Sequence, residues 1–387
     1  MKIGVASLGR LSEDTGGRNY IENFIRFLPA VNEAGHEFTL FVSEGEAAPL
    51  QANAERAGVR IIEIPNTKRT PLHKVIGEQL FLPAHIRKTG QDVMYFPGNF
   101  ASTTCPVPYV LNIRAVAHYY GAKYGVNLPR RIMRKLLMPP SAKHAAAIIT
   151  PSEDIKRDVV RFTRVSESKI TVIHHGVDVS LFSPKHKQES IGMDILSKYT
   201  LSSEMYLLYV SALWRYKNQD KLIRAFARAD LPKEMKLVLA GKGTGTSDAY
   251  IDELLAMTKK LGIADRVIFT GQLAQNDLKY LYAHASAFVF PSSYESFGNP
   301  LFEAWASNIP VAAANVHSFP EIVADAGLLF SPDNELDMIK ALELIVHDQP
   351  LRRRLIELGA SRAQEFTWEK CLRRTLSLIE SVRQADR

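Results

Sequence analysis

Cysteine is nearly absent: of 387 residues, only Cys105 and Cys371 carry a thiol. Two thiols so far apart supply neither a disulfide framework nor a zinc cluster, and a reducing cytoplasm is the expected compartment. Long apolar runs are missing as well. No stretch approaches the ~20 uninterrupted apolar residues of a membrane span, and Met1-Lys2-Ile3-Gly4-Val5-Ala6-Ser7 enters a buried-strand pattern at once, so no export signal is expected. Glycine (22) and proline (20) are near ordinary use, which excludes a collagen-like chain. With 46% hydrophobic and 23% charged residues, disorder is excluded too. There is no repeat at a period of 20–50 residues and no low-complexity tract.

Acidic residues are missing from one long stretch. Val93 to Ser152 contains no Asp or Glu, yet carries Arg114, Lys123, Arg130, Arg131, Arg134, Lys135 and Lys143. The net charge of +7 is correspondingly lopsided: 23 Lys and Arg face 16 Asp and Glu through Pro184, and 25 face 25 beyond it. Such a run implies either an anionic partner, a phospholipid surface or a phosphate-bearing substrate, or a solvated basic face. No nucleic-acid partner is expected.

Several chemistries lack their residues. Gly241-Lys242-Gly243-Thr244-Gly245 follows a strand but has neither the dinucleotide glycine spacing nor a phosphate loop ending in Gly-Lys-Ser/Thr, so no cofactor is expected. No two aspartates flank a single residue, so the Asp-x-Asp arrangement that often holds a divalent ion on a nucleotide diphosphate is absent, and no metal is expected. The adjacent His174 and His175 would point to opposite faces of a strand, and no histidine group has zinc spacing. Ser, His and Asp are too dispersed to nominate a hydrolytic triad.

What the chain does have is a steady alternation of strands and helices. Ile3–Ser7, Phe38–Val42, Arg60–Ile64, Val93–Phe96, Pro108–Ile113, Ala147–Thr150 and Lys169–Ile173 read as strands. Ile21, Phe24, Ile25 and Leu28 form the stripe of a helix that Gly35 is expected to close. The rhythm restarts after about Pro184, with strands at Tyr206–Val210, Lys236–Ala240, Val267–Thr270, Ala287–Phe290 and Pro310–Ala313. Two such series predict an α/β protein of two Rossmann-like, doubly wound parallel-sheet domains facing across a cleft. Residues 1–180 and 181–365 are the expected domains, with the boundary near Asp178 to Pro184. A closing helix in 366–387, carrying Phe366, Trp368, Cys371, Leu372, Leu376 and Ile379, is expected to pack back on the first. Ligands of such sheets bind beyond the carboxyl ends of the strands, so chemistry is sought in the strand-to-helix loops.

The densest signal is Phe288-Val289-Phe290-Pro291-Ser292-Ser293-Tyr294-Glu295-Ser296-Phe297-Gly298-Asn299-Pro300-Leu301-Phe302-Glu303-Ala304. A buried strand ends at Pro291, a polar loop holds Glu295, and Asn299-Pro300 reads as a capping side chain followed by Pro at the first helical position. The free amides of that helix start suit a phosphate. Glu295 in the loop and Glu303 one turn into the helix are placed to accept hydrogen bonds from a sugar and a ribose on either side of a diphosphate. The plainer alternative is that Glu295 caps a turn and Glu303 faces solvent.

On these residues the sequence resembles the retaining GT-B glycosyltransferases of glycosyltransferase family 4, whose hallmark is two glutamates separated by seven residues in this strand-loop-helix context. Other segments resemble the family in the same order. They are Thr15-Gly16-Gly17 through Gly35-His36-Glu37, then Ile173-His174-His175-Gly176-Val177-Asp178 with Phe182 and Pro184, then Leu239-Ala240-Gly241-Lys242-Gly243. Val267 to Gly271, and Pro320-Glu321-Ile322-Val323 with Asp325-Ala326-Gly327, complete the series, which covers nearly all of residues 1–370; Glu321 is assigned a structural role.

The resemblance implies glycosyl transfer from a nucleotide-diphosphate sugar to an acceptor hydroxyl, in polysaccharide or glycolipid assembly. By it, Glu295 binds donor-sugar hydroxyls, Glu303 the ribose, and Lys217 the diphosphate. Gly16 and Gly17 bring backbone amides to the phosphates, and Ser296, Phe297, Gly298, Asn299, Pro300, Leu301 and Gly241 complete the donor side. Many members place an Arg where this chain has Ala212, and Arg215 in the same loop is the candidate for that charge. His118 stands roughly where members carry a cleft histidine, though it follows Arg114-Ala115-Val116-Ala117 rather than the strand end directly. The acceptor is a saccharide or a lipid-linked molecule. A non-catalytic nucleotide-sugar-binding protein and a sugar-nucleotide epimerase are the competing readings.

The acid-free stretch adds one more expectation. Between Asn127 and Met138, Ile132 with Leu136 and Met133 with Leu137 are i, i+4 pairs flanked by Arg130, Arg131, Arg134 and Lys135. Such a helix either lies on an anionic leaflet, at the inner face of the membrane, or packs its stripe on the sheet.

Overall fold

The computed structural model describes residues 1–8, 16–65, 71–121, 124, 128–243 and 248–385. Thr15, Lys123, Asn127, Thr244 and Gly245 lie outside them, as does the side chain of Arg130. The chain divides into two compact units, one of residues 1–122, 126–176 and 368–387, the other of residues 123–125 and 177–367.

The first unit is built on a seven-stranded sheet of β1 (Lys2–Ser7), β2 (Glu37–Ser43), β3 (Arg60–Ile64), β4 (Val93–Phe96), β5 (Tyr109–Asn112), β6 (Ala147–Thr150) and β7 (Ile170–Val172). All neighbours are parallel, in the order β3-β2-β1-β4-β5-β6-β7. Side chains of a strand alternate between faces, so a parallel sheet covered on both sides needs continuous apolar runs. Val93, Tyr95, Val110 and Ile149 accordingly enter one core. Met94, Phe96, Leu111 and Ile148 enter the other.

The helix Gly16–Phe27 buries Ile21, Phe24 and Ile25 against the sheet, with Leu28 just beyond it. It ends earlier than Gly35 because Pro29 lacks the N–H the next turn requires; a single 3-10 turn, Leu28–Ala30, follows, and Gly35 instead takes a positive φ of 64° ahead of β2. The last helix, Trp368–Ala385, belongs to this unit, with Trp368, Cys371, Leu372, Leu376, Ile379 and Val382 in its core. Phe366 stands outside that helix and enters the core of the second unit.

The second unit has a six-stranded parallel sheet of β8 (Tyr206–Val210), β9 (Lys236–Ala240), β10 (Val267–Gly271), β11 (Ala287–Phe290), β12 (Val311–Ala314) and β13 (Leu328–Phe330), in the order β10-β9-β8-β11-β12-β13. β13 has no counterpart in the sequence reading. Strand order reverses between β1 and β4 in the first unit and between β8 and β11 in the second. These reversals open crevices at the carboxyl ends, where such sheets bind ligands.

Candidate active site

The segments of Gly16-Gly17, Lys217 and Glu295 follow strands at these reversals, β1, β8 and β11, whereas Gly241 follows β9 and His118 follows β5. In the second unit, the chain leaving β8 makes a short 3-10 turn, Arg215–Lys217, before the helix Gln219–Arg228, and the chain leaving β11 makes the loop that leads into the helix Asn299–Ala306. Asn218 joins the two: with φ at +58° it turns the chain, and its buried amide donates to Pro291 O and to Ser293 Oγ, both at 2.7 Å. The Ser293 N–H donates to Tyr216 O at 2.8 Å. This lacing brings Lys217 against Glu295, and their side chains form a buried ion pair. Burial disfavours the Lys217 charge, but the Glu295 carboxylate outweighs it and holds its pKa above the ordinary value. Phe290 and Tyr216 also present ring faces to the ammonium, at 5.5 and 5.1 Å. Tyr124, grouped with this unit, packs its ring 5.6 Å from Tyr216 and 5.1 Å from Tyr294.

The helix beyond Glu295 opens differently from the sequence reading. Gly298, at φ +90°, is the cap, with no capping side chain, and Asn299 is already the first helical residue. A Cβ at Gly298 would meet Phe319 Cε1 at 2.7 Å, so both conformation and space require glycine. No side chain caps this turn, Pro300 has no N–H and the Leu301 N–H donates to Gly298 O at 2.9 Å, so the positive end of the helix is presented to an anion mainly through the Asn299 N–H. Ser318 Oγ donates to Glu295 O at 3.1 Å and steadies the loop. Ser296, Asn299 and Pro300 are half-buried, whereas Phe297 and Leu301 turn their side chains into the core, Phe297 stacking on Phe302 at 4.7 Å. Glu303 is half-buried one turn further on, and burial pushes its carboxyl up to about 7 even though Tyr282 pulls the other way. Gly241, just beyond β9, has φ +149°, and a Cβ there would meet Ser211 O at 2.0 Å; its place is a close approach of two backbones.

In the first unit, Gly16 and Gly17 open the helix that follows β1, with no acidic residue in its first turn. Beyond β5, the N–H groups of Arg114 and Ala115 both donate to Asn99 Oδ1, at 2.7 and 3.1 Å. The Arg114 guanidinium lies 5.1 Å over the ring of Tyr20, one turn into that helix. Below it, Tyr20 and Tyr95 share a hydroxyl hydrogen bond of 2.6 Å, and Asn112 Nδ2 donates to Tyr95 at 2.9 Å. Burial lowers the Arg114 pKa. Sequence reasoning counted Arg114 as charge only, although its position directly after a strand end was the available signal.

Comparison with known proteins decides the family. The profile of "Glycosyl transferases group 1" matches residues 160–362, and that of "Glycosyltransferase Family 4" matches residues 15–181. The chain belongs to the glycosyl transferases group 1. It is 32% identical over 250 residues to O-antigen chain mannosyltransferase B of Escherichia coli, a match spanning 64% of this chain and 63% of that protein. It is 26% identical over 353 residues to O-antigen chain mannosyltransferase RfbU of Salmonella typhimurium, spanning 88% of this chain and 90% of that one. Among solved structures, Anabaena HepE in complex with UDP and glucose superposes with a TM-score of 0.77 at 18% identity, over 98% of this chain and 100% of that one. Sucrose-phosphate synthase from Thermosynechococcus elongatus does so with a TM-score of 0.77 at 21% identity, over 99% of both chains. The two parallel sheets and these neighbours make the fold GT-B.

Two candidate residues of this group 1 glycosyltransferase stand apart from the Lys217–Glu295 pair. Arg215 is turned outward, its Nη2 2.5 Å from Glu253 Oε1 and its guanidinium 4.9 Å over Tyr250. His118 is only 1% exposed, packed 4.5 Å from the Tyr119 ring. Burial, joined by the charges of Arg134, Lys135 and Arg131, pushes its pKa down to about 3, so the ring is neutral and is not presented to a ligand. Among the described residues, no three His, Cys, Asp or Glu side chains form a metal-binding group, and no helix is long and apolar enough to cross a membrane.

Proposed function

We propose that this glycosyltransferase moves a sugar from a nucleotide-diphosphate donor to an acceptor hydroxyl with retention of anomeric configuration. The observation that carries the reading is the Lys217–Glu295 ion pair beside the uncapped start of the Asn299–Ala306 helix. A buried ammonium and the positive end of a helix suit a diphosphate, an adjacent carboxylate suits sugar hydroxyls, and Glu303 suits a ribose. That relatives are O-antigen mannosyltransferases, and that HepE was crystallised with UDP and glucose, supports a nucleotide-sugar donor and an acceptor in cell-surface polysaccharide or glycolipid assembly.

In the reaction, the bond from the anomeric carbon to the diphosphate breaks and a bond to the acceptor oxygen forms on the same face. The acceptor proton passes to a leaving phosphate oxygen, so no enzyme nucleophile is required. Negative charge grows on the diphosphate, and Lys217 and the helix start beyond Gly298 stabilise it without a metal. Arg215 and His118 have no part in this reading, the one being engaged with Glu253 and the other buried.

The test is product analysis. The protein is incubated with a panel of nucleotide-diphosphate sugars and polysaccharide or lipid-linked acceptors, and the anomeric configuration of the product is read by NMR. Inverted product overturns retention, conversion of donor without acceptor supports the epimerase, and donor binding with no turnover supports the non-catalytic reading.

A further inference from the structure

We propose that the helix Leu128–His144 seats the first unit on the surface of an anionic lipid leaflet through an exposed stripe of Leu128, Ile132 and Leu136 with Lys135 and Lys143. Soluble proteins scatter exposed apolar side chains singly over their surface. Here three large ones follow one another at four-residue spacing, 62%, 49% and 69% exposed, along about 12 Å of one helix face. They are three of the nine exposed large hydrophobics among the described residues. The helix does not need this face for packing. Met138, Ser141 and Ala142 are fully buried, and Met133 and Leu137 are half-buried. The two i, i+4 pairs legible in the sequence thus separate, Met133 and Leu137 toward the unit and Ile132 and Leu136 outward.

The charges around the stripe say what covers it. Lys135 and Lys143, both exposed, stand seven residues beyond Leu128 and Leu136, hence on the same face. Arg131 and Arg134 lie on the same helix, and the sequence from Val93 to Ser152 itself holds no carboxylate, the nearest acids being Glu153, Asp154 and Asp158 on the following helix, Glu153–Thr163. The field of these cations is felt inside the unit, where Arg134, Lys135 and Arg131 all disfavour a proton on His118. Apolar side chains bordered by cations fit the boundary between acyl chains and anionic headgroups. A second copy of this chain would bring like charges together, which disfavours self-association. The proposal is independent of the donor chemistry and places the protein at a membrane carrying anionic lipid.

Sedimentation with vesicles tests it. The wild-type protein is expected to sediment with phosphatidylcholine–phosphatidylglycerol vesicles, to remain free of phosphatidylcholine vesicles, and to be released by salt. The triple variant L128S/I132S/L136S should bind the mixed vesicles about tenfold or more weakly, with thermal midpoint and nucleotide-sugar affinity unchanged. Should the triple variant fail to fold, K135E/K143E, altered only at exposed positions, carries the same expectation. Wild-type protein that ignores mixed vesicles at low salt overturns the proposal. So do variants that bind as wild type does, and a stripe-dependent dimer in solution without vesicle binding.

Discussion

Lys217 and Glu295, 78 residues apart in sequence, are ion-paired at the carboxyl ends of the two central strands of the second sheet. In that state each neutralises the other. A bound sugar diphosphate would offer Lys217 a second anion and Glu295 hydroxyl donors, so donor binding exchanges one set of charge-assisted hydrogen bonds for another. Lys217→Ala is expected to lower kcat by about 100- to 1000-fold, the scale of a lost transition-state donor, with a smaller effect on donor affinity. Because the two residues act as a unit, the Glu295→Ala loss should not add in full to it. Steady-state kinetics on the two single variants and the double variant check both points.

Glu303 is expected to lose about 10- to 100-fold in donor affinity on replacement by Ala, the value of a carboxylate hydrogen bond to a hydroxyl. Its carboxyl, pushed up to about 7 by burial, also sets a pH dependence. Hydroxyl binding requires the carboxylate, so affinity should strengthen as pH rises through 7, and Glu303→Gln should flatten the profile. For stability the sign is opposite: a folded pKa above the ordinary 4.5 stabilises the protein below about 4.5, and that contribution is lost as pH rises through 7. Calorimetric titration and thermal midpoints between pH 5 and 8 separate the two effects.

Gly298→Ala should destabilise the protein by roughly 1–3 kcal/mol, since a Cβ meets both an unfavourable backbone conformation and the Phe319 ring. Denaturant titration measures it, and an unchanged midpoint would remove the steric account.

Activity should persist in EDTA, because Lys217 and the helix start supply the positive charge the diphosphate needs. Complete loss on chelation, restored by Mg²⁺ or Mn²⁺, would overturn the metal-independent reading.

His118 predicts acid sensitivity. Its folded pKa of about 3 stands below the ordinary 6.5, so the unfolded chain binds a proton more readily, and stability should fall as pH drops below about 6.5. His118→Asn should weaken this slope while leaving turnover at neutral pH within a few-fold of wild type. A variant that loses turnover by about 100-fold would instead return the imidazole to the chemistry.

The sequence shows the two parallel sheets, because strands buried on both faces must be continuous apolar runs, and those from Ile3 to Ser7 and from Ala287 to Phe290 are such runs. It also shows the seven-residue glutamate spacing and the acid-free basic stretch, which need no partner to be read. Leu328–Phe330 escaped, only Phe330 of its three residues being fully buried, and the first helix reads as reaching Gly35 because the apolar stripe spoke louder than Pro29. Which candidates meet is a matter of long-range packing. Strand order, set by long-range pairing, carries Lys217 to Glu295 and lays Arg114 over Tyr20, while Arg215, two residues from Lys217, finds Glu253. The same packing decides that Ile132 and Leu136 face outward and that Glu303 is buried enough to titrate near 7. Local pattern fixes the phase of an element; what each face meets depends on segments tens of residues away, whose contacts form only when the sheets assemble.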